Sequence, residues 1–364
     1  MRNVYITKQS FTVQEFLFEA GVTMPVTAGY ETYGELNEDK SNAILICHYF
    51  SGTSHAGGDG YRIGSDQVIQ EPGWWSPLIG PGKAFDTEQY FIVCMDVISN
   101  VNVKHPNVIT TGPATIDPST GQRYGLSFPQ VTIRDFVRLQ KLLLETLGIN
   151  HLVCVAGPSM GGMQALQWAV DYPDDIDHVI AVVSTGRTST YTSVNPLQLG
   201  IEAILANEIA GVYSAIKGMT IQAYSYPYAE QLWGYEAVKP SLRGELQPIH
   251  FHQKLDEIVN KRVETVDPYH WLYISRVCQQ FTLEKGYDSY EAALSRIKAN
   301  VLIIPTVSDL IFPASESKDL VDRLHRLGRT AYYHELVSDN GHMEAIINSP
   351  SYSEIISDFL GGKL

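Results

Sequence analysis

One short segment, VAGPSMGGMQ (residues 155–164), places a serine between closely spaced glycines. An apolar run precedes it and the helix-forming run MQALQWAV follows it, so Gly157-Pro158-Ser159-Met160-Gly161 is a G-x-S-x-G sequence between a strand and a helix. Glycines at such a turn let the strand and the helix approach closely and leave the hydroxyl exposed. The pattern predicts that Ser159 is a nucleophile, and the alternative is an ordinary tight turn.

A serine nucleophile needs a general base, and the base needs an orienting carboxylate. Asp309 follows the apolar run of NVLIIPTVSDLIFP, and His342 lies in YYHELVSDNGHMEAI after the next apolar run. The C-terminal ends of parallel strands meet at one edge of a sheet, so we expect both side chains to converge beside Ser159. The alternatives are that Asp309 forms a turn and that His342 is a solvated helix cap.

Attack on a carbonyl group also needs N–H donors for the oxyanion that develops. Met160, at the start of the predicted helix, supplies one backbone N–H group. The segment ICHYFSGTSHAGG follows an early strand, and the N–H of Phe50 is our candidate for the second donor. We interpret His48 and His55 in this segment as residues that shape the loop.

Six apolar runs bounded by turn residues predict the strands that position these groups: NAILICHY, YFIVCMDVI, HLVCVAG, HVIAVVS, NVLIIPT and AYYHELV. Helical patterns lie between them. The best defined is residues 131–148, where Thr132 and Asp135 form a capping-box pattern and Gly148 can end the helix. This alternation predicts an α/β fold with a mostly parallel sheet covered by helices.

The strand signal fades between about Thr185 and Lys298, and a helical, Tyr- and Gln-rich sequence replaces it. We therefore predict a core formed by residues 1–185 and 298–364, with residues 186–297 inserted as a helical lid.

Composition restricts the partners. The formal net charge is −14, which gives no general attraction to nucleic acid or to an anionic membrane. The N-terminal residues lack an apolar segment, and no run approaches 18 apolar residues, so we expect a cytoplasmic protein without a membrane span. The four cysteines are far apart and lie mostly in apolar runs, which indicates buried thiols and no metal site.

Over nearly its whole length the chain resembles the homoserine O-acetyltransferases of the α/β-hydrolase superfamily, most specifically in GWWSPLIGPGKAFDT and SMGGMQALQWA. The resemblance implies an α/β-hydrolase fold and a ping-pong reaction of the methionine-biosynthesis type. Ser159 would take an acyl group from acetyl-CoA or another acyl-CoA, and homoserine would receive it. It also implies no bound cofactor and a homodimer formed through the lid helices.

The chain departs from that family at the acceptor positions. Alignment by this resemblance puts Lys217 where an arginine binds the acceptor carboxylate, and it keeps the partly buried Tyr224. Met343 stands where an aspartate meets the acceptor amine, with Glu344 one residue later. The segment SNVNVKHPNVITTGP also differs from the family and lies near the acyl entrance by this resemblance. The resemblance gives no residues for binding CoA.

Three alternatives to homoserine acylation remain. The chain could be a hydrolase, in which water resolves the acyl-serine, because transferases and hydrolases of this fold share the same three side chains. It could acylate another hydroxyl acceptor. It could also be a ligand-binding protein that has lost turnover.

Overall fold

The computed structural model describes residues 5–63, 67–233 and 250–364, apart from the side chains of Trp233 and residues 250–253. Within these ranges the strands are β1 (Tyr5–Thr7), β2 (Gln9–Leu17), β3 (Thr23–Tyr33), β4 (Ala43–Ile46), β5 (Gly60–Ile63), β6 (Gln67–Ile69), β7 (Ile79–Gly80), β8 (Phe85–Asp86), β9 (Phe91–Met95), β10 (Leu152–Pro158), β11 (Ile176–Val182), β12 (Asn300–Ile304) and β13 (Ala331–Tyr333). The helices are α1 (Ile133–Thr146), α2 (Met160–Asp171), α3 (Asn195–Ala206), α4 (Glu208–Ala223), α5 (Tyr226–Trp233), α6 (His250–Val263), α7 (Pro268–Gln279), α8 (Tyr290–Leu294), α9 (Ala314–Arg326), α10 (Glu344–Ile347) and α11 (Ser353–Leu360).

The central sheet has the strand order β13-β12-β11-β10-β4-β9-β3-β2. Its pairs from β13 to β9 are parallel, whereas β3 pairs antiparallel with both β9 and β2. All six predicted strands lie in the parallel part, so the prediction of a mostly parallel sheet is confirmed. The β2–β3 hairpin was not predicted, because β2 is mostly exposed and neither strand contains a continuous apolar run.

Alternate residues of each central strand face opposite sides of the sheet, as the two-residue repeat of a strand requires. Leu45 packs in a core cluster with residues of α1, α2 and α9, while its neighbours Ile44 and Ile46 pack in a second cluster with residues of α11. The sheet is therefore covered by helices on both faces, which is why its strands are apolar throughout.

Helix α1 begins and ends as its sequence predicts. Thr132 and Asp135 form a reciprocal capping box with the backbone. At the other end, Gly148 has a φ of +75°, in the left-handed region. Its N–H donates to Glu145 O, and the N–H of Ile149 donates to Leu144 O. Glycine takes this conformation without strain, so it closes the helix in a Schellman motif.

Helices α3 to α8 lie between β11 and β12, within the segment predicted as a lid (186–297). Part of that prediction, residues 234–249, lies outside the described residues. Helices α3 and α4 pack closely at Gly211, where an added Cβ would lie 2.2 Å from the carbonyl oxygen of Ala203. Among the described residues, no helix is long and apolar enough to cross a membrane.

Candidate active site

Ser159 occupies the sharp turn between β10 and α2. Its backbone has φ 55° and ψ −120°, a left-handed conformation that non-glycine residues rarely adopt. Neighbouring backbone holds it there: Ser159 N–H donates to Val182 O at 2.9 Å, and Ser184 Oγ donates to Ser159 O at 2.8 Å. The turn projects the hydroxyl beyond the end of the sheet.

Both glycines of the motif are required by close packing against the residue that follows β4. A Cβ added at Gly157 would lie 2.4 Å from the carbonyl oxygen of Cys47, and one added at Gly161 would lie 2.0 Å from the same atom. No flexible side chain could give way there, since the obstacle is backbone. The strand, the helix and the neighbouring strand therefore converge at Ser159 only if these positions are glycine.

Ser159, His342 and Asp309 form one hydrogen-bonded chain. Ser159 Oγ lies 2.8 Å from His342 Nε2, and His342 Nδ1 lies 2.8 Å from Asp309 Oδ2. Asp309 follows β12 and His342 follows β13, the two neighbouring strands at this edge of the sheet. The structure thus brings together the three side chains that the sequence analysis selected.

The Asp309 carboxylate is wholly buried and fixed in orientation. Its Oδ1 accepts hydrogen bonds from the N–H groups of Ile311 at 2.7 Å and Phe312 at 3.0 Å, which leaves Oδ2 for His342. When neutral His342 donates its Nδ1 proton to this oxygen, Nε2 is free to accept the proton of Ser159. The Phe312 ring packs beside the imidazole, with its centroid 5.6 Å away.

Hydrogen bonds from neighbouring residues fix the loop that carries His342. Gly341 has φ +65° and donates its N–H to Ser308 Oγ at 3.0 Å. The buried carboxylate of Glu344 anchors the following turn by accepting hydrogen bonds from Ser338 Oγ at 2.7 Å, Asn348 Nδ2 at 2.8 Å and Ser351 Oγ at 2.9 Å. Glu344 therefore stabilises the loop and does not line the cavity beside Ser159.

The two predicted oxyanion donors border the same cavity as Ser159. Met160 is the first residue of α2, where a helix leaves its N–H without an internal partner. Within the described ranges, the N–H of Phe50 has no hydrogen-bond acceptor, while its ring packs on Trp271 with centroids 4.8 Å apart. Both N–H groups are thus available to a ligand oxygen.

Buried polar contacts fix the loop that carries Phe50. His48 Nδ1 contacts Tyr49 O at 2.7 Å, and His48 Nε2 accepts from Val97 N–H at 3.1 Å. His55 Nδ1 lies 2.7 Å from Glu31 Oε2. Burial by itself raises the pKa of Glu31, but hydrogen bonding from His55 and the charge of a nearby lysine outweigh it and lower this pKa to about 2. These contacts support the interpretation that His48 and His55 shape the loop.

The cavity beside Ser159 has a volume of about 660 Å³. Tyr224 and Met343 line it, as expected for substrate-binding positions, but Lys217 does not. The Lys217 ammonium instead pairs with Asp256 of α6. The reason is helical geometry: α4 lines the cavity with Met219, Thr220, Gln222 and Ala223, and Lys217 lies on another face of that helix. The prediction that Lys217 occupies the substrate site therefore needs correction.

Two cations of α6 that the sequence analysis missed, Lys261 and Arg262, line the cavity. Arg262 Nη2 donates to Ser51 Oγ at 2.9 Å, and Arg262 Nη1 donates to Thr220 Oγ1 at 3.2 Å. Burial lowers the pKa of the Arg262 guanidinium, while Tyr49 and Tyr224 oppose that shift. A signal was present, because Arg262 continues the i, i+4, i+7 spacing of two buried apolar side chains of α6, Leu255 and Val259.

Within the described ranges, no group of three or more His, Cys, Asp or Glu side chains could hold a metal ion. All four cysteines are buried. Burial raises the pKa of Cys47 and of Cys278, so neither thiol is activated. The serine is the nucleophile that the geometry equips for attack on a carbonyl carbon.

Comparison with known proteins gives a consistent result. A family model described as the alpha/beta hydrolase fold matches residues 42–348. The homoserine O-acetyltransferase of Deferribacter desulfuricans is 36% identical, over 97% of this chain and 95% of the relative. That of Geobacter sulfurreducens is 33% identical, over 98% and 97%.

Two solved structures are similar over almost the full length of both chains. The crystal structure of homoserine O-acetyltransferase from Bacillus anthracis is 38% identical and superposes with a TM-score of 0.93, covering 98% of each chain. The crystal structure of esterase E22 is 35% identical with a TM-score of 0.91, covering 98% of this chain and 100% of the other. A transferase and an esterase therefore share this architecture almost equally well.

Proposed function

Since the chain belongs to the homoserine O-acetyltransferase family of the α/β-hydrolase fold, we propose that it transfers an acyl group from an acyl-CoA to a small hydroxyl acceptor. Acetyl-CoA is the proposed donor. Homoserine, the acceptor in the name of the relatives, is the first acceptor to test. One observation carries the proposal: the hydrogen-bonded chain from Ser159 through His342 to Asp309 opens into a cavity bordered by two available N–H groups.

The first half-reaction acylates the serine. Ser159 Oγ attacks the thioester carbonyl carbon while His342 Nε2 takes the hydroxyl proton. The N–H groups of Phe50 and Met160 stabilise the negative charge on the carbonyl oxygen. When the carbon–sulfur bond breaks, the imidazolium of His342 protonates the departing sulfur, so free CoA leaves and an acyl-serine remains.

The second half-reaction repeats these steps with the acceptor. Its hydroxyl group gives a proton to His342 Nε2 and attacks the acyl-serine carbonyl carbon, and His342 then returns the proton to Ser159 Oγ as that ester bond breaks. Asp309 stays ionised throughout and stabilises the imidazolium. The products are an acylated acceptor and the regenerated serine.

Ester hydrolysis is the second candidate, and Met343 favours it. Met343 directly follows His342 in the chain, and its apolar side chain lines the cavity, whose lining is largely apolar. The 35% identity to esterase E22 gives further support. In this reaction water takes the place of the acceptor hydroxyl, and the roles of the three side chains are unchanged.

The decisive experiment incubates the protein with acetyl-CoA, with and without homoserine, and follows CoA release and product mass together. O-acetylhomoserine as the main product would support the transferase. Acetate formed at the same rate with and without homoserine would support the hydrolase. CoA release no faster than in Ser159→Ala would refute the use of acetyl-CoA, and rapid turnover of p-nitrophenyl acetate would then establish an esterase.

We also propose a homodimer that forms through the lid helices. Large apolar side chains on α3 and α4 are exposed in the single chain: Leu199, Leu205, Ile209 and Ile221. Exposed apolar side chains grouped in this way are typical of protein interfaces. Light scattering of the purified protein tests the proposal, and Ile209→Asp should shift the mass towards the monomer. The division into core (1–185, 298–364) and lid (186–297) likewise remains our proposal.

A further inference from the structure

The charge of the active-site cavity is unbalanced. Among the described residues that line it, Glu71 supplies one carboxylate, whereas Lys261 and Arg262 supply two cations. Glu71 is already engaged, since it accepts a hydrogen bond from Tyr61 at 3.2 Å and lies 3.5 Å from His105 Nε2. In the part of the chain that the structure describes, no carboxylate pairs with Arg262.

Arg262 retains capacity to bind an anion. Its guanidinium has five N–H donors, and the described contacts use two of them, to Ser51 and Thr220. Both partners are neutral hydroxyl groups, so they orient the guanidinium without neutralising it. Holding a cation away from bulk water is costly unless an anion pairs with it, which favours an anionic ligand over an empty cavity.

The position of Arg262 defines where that anion lies. Ser51 directly follows Phe50, whose N–H is the proposed oxyanion donor, so the guanidinium is fixed next to the oxyanion loop. Thr220 fixes it from α4 on the lid side. A ligand held by Arg262 thus has its charge beside the oxyanion loop, in the same cavity as Ser159, which fits a short molecule.

We propose that Arg262 binds the carboxylate of the acyl acceptor, and that the acceptors are short hydroxy acids with or without an α-ammonium group. This inference rests on the proposed function and specifies its substrate class. No unengaged carboxylate lines the described cavity to receive an ammonium group: Met343 is apolar, and Glu344 is occupied by its own loop. Recognition therefore depends on the carboxylate of the acceptor and little on its amine.

The test compares three acceptors: homoserine, γ-hydroxybutyrate, which lacks the amine, and homoserinol, which lacks the carboxylate. The wild type should use the first two within about threefold and prefer homoserine over homoserinol by roughly ten- to a hundredfold in kcat/KM, the worth of hydrogen bonds to a charged group. Arg262→Met should abolish that preference, and Arg262→Lys should restore part of it. Lys217→Met, which removes the cation outside the cavity, should leave it unchanged.

The acyl donor is varied so that this inference can fail separately from the proposed function. Labelling of Ser159 by acetyl-CoA tests the proposed function, whereas p-nitrophenyl acetate supplies the acyl group without CoA and still reports on the acceptor. In Arg262→Met the ratio of the two labelling rates should stay that of the wild type, and the thermal unfolding temperature checks that the variant is folded.

Any of four results would overturn the inference. The first two are a preference for homoserine over homoserinol that persists in Arg262→Met, and one that disappears in Lys217→Met. The third is that no acceptor takes the acetyl group from either donor. Finally, the carboxylate could belong to the donor: Arg262→Met would then slow labelling of Ser159 by succinyl-CoA and leave the acceptor preference intact.

Discussion

Replacing Asp309 by asparagine should remove most of the catalytic activity without unfolding the protein. Asp309 Oδ1 accepts two backbone N–H groups, and an asparagine oxygen can keep both. In that orientation the asparagine NH₂ group faces His342 Nδ1, which must then accept a hydrogen bond. The remaining imidazole proton moves to Nε2, facing Ser159 Oγ, so the base can no longer take the hydroxyl proton.

The expected loss is about 10⁴-fold in kcat, the effect of a wrong histidine tautomer, which corresponds to about 5 kcal/mol of transition-state stabilisation. The loss should appear equally with acetyl-CoA and with p-nitrophenyl acetate, because both acylate Ser159. Stability should change little, since side-chain volume and both backbone hydrogen bonds are preserved. Asp322→Asn, an exposed position on α9, is the matched control.

Combining Asp309→Asn with His342→Ala tests the same reasoning. The two side chains act as one unit, so the double variant should be no slower than His342→Ala alone. A loss of less than tenfold for Asp309→Asn, or activity losses that simply multiply in the double variant, would refute the assigned roles.

Four further predictions follow from particular contacts. Gly161→Ala should lower the thermal unfolding temperature sharply, because its Cβ would lie 2.0 Å from a backbone oxygen, whereas Gly218→Ala, with open space around it, should be neutral or stabilising. Thr132→Ala should cost about 1 kcal/mol of unfolding free energy in urea by removing the capping box, and leave kcat unchanged. Burial lowers the pKa of His270 from 6.5 to about 4, so between these pH values the unfolded chain binds a proton that the folded chain excludes. The free energy of unfolding should therefore fall by about 3 kcal/mol from pH 6.5 to 4, and His270→Asn should remove this pH dependence. Met343→Asp should raise the preference for homoserine over γ-hydroxybutyrate by roughly tenfold in kcat/KM, since a carboxylate beside the base can pair with the α-ammonium.

Local rules made much of the fold predictable. Apolar runs between turn residues identified the six parallel strands, and the capping box and terminal glycine located α1. The G-x-S-x-G motif, with an acid and a histidine after later strands, was enough to select Ser159, Asp309 and His342, because parallel strands end at a common edge. The hydrogen bonds among these side chains follow from that topology.

The acceptor site was less predictable because it depends on how helices pack. Lys217 and Arg262 are both cations on lid helices, and only the rotation of each helix decides which one reaches the cavity. Alignment by resemblance selects Lys217, since it compares positions along one helix and ignores the helix packed against it. An isolated charge continuing the apolar face of α6 was the available signal, and it supports a cation turned inward.

The central claim, that acyl transfer proceeds through Ser159, is tested most directly by rapid mixing with acetyl-CoA followed by acid quench and mass spectrometry. We predict an acetyl group on the peptide containing Ser159, formed as fast as CoA is released and removed faster when homoserine is added. CoA release that matches turnover in the absence of any acylated Ser159, or labelling that persists in Ser159→Ala, would contradict it.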